Sequence, residues 1–171
     1  MTWLRVAALV LGAVVFQSVL GRFGGGAFAD LVLVAVVAVA LLHGRVAGLA
    51  AGTVAGLLQD ALGGGILGLS GLGKSIAGYF TGVAGTQFIV TQTMSRGLVF
   101  LGASLLNAAC FVGLSILLGL RRYDRPLLDV ALQALANAML GVLLFSTAEF
   151  MPTARAWWGM VLERRRKRRV L

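Results

Sequence analysis

The stretch GLSGLGKS, Gly68 to Ser75, has the spacing of a phosphate loop, G-x-x-x-x-G-K-[ST]. In such a loop backbone N–H groups cradle phosphates, the lysine reaches the terminal phosphates and the hydroxyl sits on magnesium. The chemistry also needs a strand before the loop, a helix after it and an acidic residue elsewhere to hold the metal. The residues before Gly68, GLLQDALGGGIL, read instead as the end of an apolar helix that breaks into glycines. With 24 glycines in 171 residues, such spacings arise by chance, and the ATPase reading is set aside. The other reactive residue types are scattered. His43 and Asp60 fall at helix ends and make no triad, and Cys110 is the single cysteine, so it has neither a disulfide partner nor a metal-ligand cluster. No catalytic residue, metal or cofactor is expected, and the chain does not read as an enzyme.

The elements that carry these residues follow from composition. The chain is 59% hydrophobic and 12% charged, with a mean hydropathy of +0.94. A soluble domain is nearer half apolar and a quarter charged, so lipid must solvate most of this one. A membrane-crossing helix needs about 20 apolar residues. Six stretches qualify or nearly so: Trp3–Leu20, Phe28–His43, Gly44–Leu62, Leu69–Val90, Gly97–Leu120 and Leu127–Phe150. The second is short and would have to stand nearly upright. The runs are continuous, without the period-two polar alternation of a barrel strand, so the fold class is an all-α membrane protein with six transmembrane helices. Arg5, an apolar run and Ala27 to Ala29 imitate a cleaved leader, but the long gap after Leu20 carries Arg22, and a retained first helix is expected. The expected organisation is one transmembrane domain over residues 1–155 and a basic tail over 156–171.

That tail runs Glu163 and then Arg164 to Arg169 without a break in positive charge. It should stay in the cytoplasm and attract anionic lipid, while Trp157 and Trp158 suit the headgroup layer. An even helix number places the N-terminus inside as well, on the side of Arg5, Arg45, Arg96 and Arg155. The loop RRYDRPLLD, with Arg121, Arg122 and Arg125, would then face outward against the charge rule; a five-helix chain would reverse it. A nucleic-acid partner is not expected, because the rest of the chain offers no basic face.

Small residues form the clearest pattern. Gly44, Gly48, Gly52 and Gly56 recur at steps of four and lead to Asp60, and Gly71, Ser75, Gly78 and Gly82 form a second row. In lipid, close packing of small residues replaces the hydrophobic effect as the reason for helices to associate. The third helix is therefore expected to be buried, packed on the fourth. Asp60 at mid-bilayer would cost roughly 3 kcal/mol. It is expected near the outer end, accepting N–H groups from a tight loop over residues 63–70 or from the start of the fourth helix, with Lys74 as its ion partner. The bland alternative for Lys74 is an interfacial side chain that snorkels outward. A last stripe, Asp129, Gln133 and Asn137, with Ser104 and Asn107 able to face it, reads as interhelical hydrogen bonding, a polar path or a docking surface.

These residues resemble a known family. Ala29, Asp30 and Leu31 before an apolar run, then Gly56-Leu57-Leu58-Gln59-Asp60, Gly64 and Gly65, Leu67-Gly68 and Gly78-Tyr79, look like the rod shape-determining protein MreD family. The likeness is motif-level over residues 29–82 and extends to the whole chain in layout; the triple-arginine loop and the extra glycines depart from the pattern. The resemblance implies a bacterial inner-membrane scaffold of the wall-elongation machinery. Its partners would be MreC and, in the larger complex, RodA and a class B penicillin-binding protein. Gly56, Asp60, Gly68 and Tyr79 would be structural residues. At the level of fold the family is also similar to the S components of energy-coupling factor transporters. Ala8 and Gly12 imitate the small-residue coupling surface of those proteins, which makes a vitamin-binding module the alternative.

Overall fold

The computed structural model describes residues 3–22, 29–64, 66–87, 93–119 and 128–147. They form six helices, α1 (Trp3–Arg22), α2 (Leu31–His43), α3 (Arg45–Gly63), α4 (Leu69–Gln87), α5 (Thr93–Leu117) and α6 (Leu128–Thr147). No strand occurs among the described residues. By length and composition α3, α6 and the part of α5 from Met94 to Leu117 are long and apolar enough to cross a membrane. The chain divides into two compact units, Met1–Gly141 and Val142–Leu171. The first holds everything discussed below; in the second, the Thr147 hydroxyl donates back to the Leu143 and Leu144 carbonyls. The loop at 121–127, Glu149, Trp157, Trp158, the basic tail and the expected 155/156 boundary lie outside the described residues.

Local chemistry sets the helix ends. Asp30 caps α2, its Oδ1 accepting the Leu33 N–H at 2.9 Å. α2 stops at Gly44, whose φ of 85° is a conformation L side chains avoid. Gly64 ends α3 in the left-handed region, with its N–H on the Asp60 carbonyl, the usual glycine C-cap.

Burial corrects one expectation. The enclosed helix is α2, not α3: every residue from Val32 to Ala40 is buried. A helix apolar on all sides has no solvent face and belongs in a core. Val6, Val10 and Val14, at steps of four on α1, join Val32, Val36 and Val39 in one cluster. α3 is two-sided. Gly48, Gly52 and Gly56 face inward, while Val46, Leu49, Val54 and Leu57 are exposed, as suits contact with lipid. At 13 residues, or about 20 Å at 1.5 Å per residue, α2 is shorter than a hydrocarbon core, and protein surrounds it.

The two glycine rows meet. A side chain carbon built on Gly48 would collide with the Gly78 carbonyl, one on Gly52 with Lys74 and Ser75 backbone, and one on Gly56 with Gly71 backbone. Gly82 closes the far end against Arg45 and Gly44 backbone. The pairings run in opposite directions along the chain, so α3 and α4 are an antiparallel pair in backbone contact. The Thr53 and Ser75 hydroxyls hydrogen-bond across it at 2.7 Å. Gly44 meets this pair only through its backbone, against Gly82. It is the capping residue between α2 and α3, with open space where a side chain would point.

Candidate functional site

The backbone contact of α3 with α4 fixes where Lys74 goes. Its backbone lies against Gly52, and its side chain turns away from lipid toward the cap of α2. Lys74 is 2% exposed, and its Nζ donates to Asp30 Oδ2 at 2.6 Å. Both expectations for Lys74 are thereby corrected: it neither snorkels nor pairs with Asp60. An aliphatic stem inside the bundle strands its charge unless an anion is at hand, and Asp30 is that anion.

Asp30 is the hub. One carboxylate oxygen holds the start of α2 and the other holds Lys74. Its own N–H donates to Asn137 Oδ1 at 2.8 Å, and Asn137 Nδ2 donates to Ser104 Oγ at 3.0 Å. Gln17 completes the collar, accepting the Leu31 N–H and donating to the Ala29 carbonyl, each at 3.0 Å. One network of buried polar groups thus joins α1, α2, α4, α5 and α6. Each extra bond raises the cost of breaking any other, because a partner left behind in low dielectric loses water as well.

Asp60 does a second job nearby. It sits in the last turn of α3, where the helix dipole disfavours a negative charge. The carboxylate is stabilised from the next helix: Oδ2 accepts the Gly68 and Ser70 N–H groups at 2.9 and 3.0 Å, donors at the start of α4 that have no partner within it. Gly68 has a φ of 97°, which turns the chain into α4. Asp60→Ala should therefore cost about 1–2 kcal/mol, the usual value of a lost cap, and Asp60→Asn less, because an amide oxygen still accepts. Thermal unfolding of the detergent-solubilised variants checks the order; equal stability for Asp60→Ala and the parent would refute the capping role.

The remaining predicted residues divide. Residues 69–75 of the phosphate-loop pattern form the first turns of α4, and the lysine of the pattern is the one tied to Asp30. Tyr79 packs edge-on with Phe80, ring centroids 5.7 Å apart. In the α6 stripe, Asn137 is 1% exposed and enters the network, Gln133 is half-buried and Asp129 is exposed. Steps of four overshoot a full turn by about 40° each, so the stripe winds outward toward its start. Phe100 of α5 lies on Gly141, where no side chain carbon would fit. Gln17 and the hub role of Asp30 were missed from sequence. The signal available was an acidic residue directly before an apolar run, the signature of a helix N-cap.

Gln17, Asp30 and Lys74 also border a cavity of about 220 Å³ with Gln59, Ser70 and Asn107 on its wall. No group of three or more His, Cys, Asp or Glu residues able to hold a metal occurs among the described residues.

An all-helical chain with three helices long and apolar enough to cross a membrane, and a buried ion pair between its own helices, belongs to the class of helical membrane proteins. The family model of the rod shape-determining protein MreD matches residues 1–151. The chain belongs to that family, a shape-determining family of membrane proteins and not a known enzyme family. No curated protein and no solved structure matches it.

Proposed function

We propose that the chain is a non-enzymatic scaffold of the bacterial inner membrane that binds MreC and, through it, works with RodA and a class B penicillin-binding protein in wall elongation. The family match across residues 1–151 carries the reading. In this proposal all six helices cross the membrane in an arrangement like that of the S components, and both termini are cytoplasmic. The basic tail then meets anionic lipid at the inner surface, where each basic residue is worth about 1 kcal/mol.

The internal packing supports a mount over a moving part. The small-residue faces of α3 and α4 are consumed against each other, and the buried ion pair links α4 to the start of α2. Small-residue surface left open for a partner's membrane helix includes Gly12 on α1 and Gly102 on α5, each with free space around it. The test is affinity purification of the tagged full chain from native membranes after brief cross-linking. MreC should be retained in near-stoichiometric amount, and Gly102→Leu should lower its recovery while leaving the chain folded. Recovery of the chain with a bound vitamin and without MreC would defeat the scaffold reading.

A further inference from the structure

The cavity beside the Asp30–Lys74 pair is lined by polar side chains from several helices, one of which the bundle leaves without a partner among the described residues. Gln59 Oε1 is buried and makes no hydrogen bond with the described residues. Ser70 of α4 and Asn107 of α5 add a hydroxyl and an amide to the same wall, and Gln133 of α6 adds another amide. Lys74 has three N–H donors, of which one lies on Asp30. Phe111 supplies an apolar face on one side. The volume of about 220 Å³ equals about seven waters at 30 Å³ each.

This lining selects a ligand class. The cation and the anion on the wall neutralise each other, so a charged guest would enter low dielectric without a counter-charge of its own. Side-chain amides and a hydroxyl both donate and accept, so the guest must do both. An aromatic face accepts C–H groups. We propose that this cavity binds a small uncharged polyol group, with Gln59, Asn107 and Gln133 as its hydrogen-bonding residues and Lys74 as an added donor. The group comes either from a free solute or from the glycerol end of a lipid headgroup. The inference does not rest on the scaffold reading, and its test needs no partner protein.

The full chain, with glutamine and asparagine labelled with nitrogen-15, is placed in phosphatidylcholine nanodiscs and titrated with glycerol and with xylitol. A second arm replaces part of the phosphatidylcholine with phosphatidylglycerol. Saturable movement of the Asn107 and Gln133 side-chain N–H signals is expected in at least one arm. Movement with the free polyols marks a solute site, and movement only with phosphatidylglycerol marks a headgroup site; both support the proposal. Gln59→Leu removes an acceptor that no described residue uses, so the fold survives, and binding should weaken about tenfold, the worth of one hydrogen bond. Signals that drift without saturation in both arms, or that saturate equally in Gln59→Leu, overturn the proposal.

Discussion

Gly52→Leu is expected to abolish accumulation of folded protein, and Gly52→Ala alone should remove about 3 kcal/mol. The reason is geometric. A side chain carbon at residue 52 would lie inside contact distance of the Lys74 carbonyl group and the Ser75 nitrogen. These are backbone atoms, and a helix cannot move a peptide group aside as it moves a rotamer. Overpacking a well-filled site costs about 1–3 kcal/mol when side chains can adjust; here adjustment means separating α3 from α4 along their length. The crossing also sets the position of Lys74, so opening it draws the ammonium away from Asp30. One methyl group therefore acts on packing and on the ion pair together. Total stabilities of about 5–15 kcal/mol leave room for the alanine variant and little for leucine. Gly12→Leu is the control, since nothing lies within 4 Å of a side chain placed there. The yield of monodisperse protein after detergent extraction, with its thermal midpoint, measures both. Unchanged behaviour of Gly52→Ala would mean that the helices are not in backbone contact.

The contrast between these two glycines shows which parts of the fold can be read from residue order. Gly48, Gly52 and Gly56 repeat in step, and a repeat of small residues within an apolar run has one physical use in lipid, a close crossing. Across the crossing these glycines meet Gly78, Lys74 with Ser75, and Gly71, all in the next helix along the chain, so the partner was also within reach. Gly44 shares the spacing but ends α2, and spacing alone does not tell a helical glycine from one that ends a helix. Asp60 was legible for a similar reason: its partners are eight and ten residues away, across a single turn.

The polar collar was not legible. Lys74 and Asp30 are 44 residues apart, and Asp30 and Asn137 are 107 apart. No local pattern encodes such a meeting. It depends on which helix occupies the centre, and that helix, α2, is identified only by being apolar on every side. Once α2 is central, the rest is forced. Its cap is buried with it, the buried carboxylate requires a cation, and Lys74 is the basic residue that the α3–α4 crossing brings within reach. The cavity follows from the same arrangement, since Gln59, Ser70 and Asn107 come from three helices that share no sequence feature.

The second large effect is expected from the ion pair itself. Lys74→Met and Asp30→Asn should each cost about 3–5 kcal/mol, the usual consequence of leaving one buried charge without its partner. Asparagine caps a helix as well as aspartate does, so Asp30→Asn tests the charge and spares the cap. The double variant places two neutral residues of similar size in the same space. It should be more stable than either single variant and within about 2 kcal/mol of the parent, because desolvating a buried pair offsets much of its attraction. A double-mutant cycle on thermal unfolding in detergent gives the coupling directly, and losses that simply add would show that the two groups do not interact. The same set separates architecture from recognition. If the pair only holds helices together, the double variant regains the ability to maintain rod shape along with its stability. If stability returns and shape does not, the charges facing the polar cavity serve what binds there, and the bundle is arranged around that site.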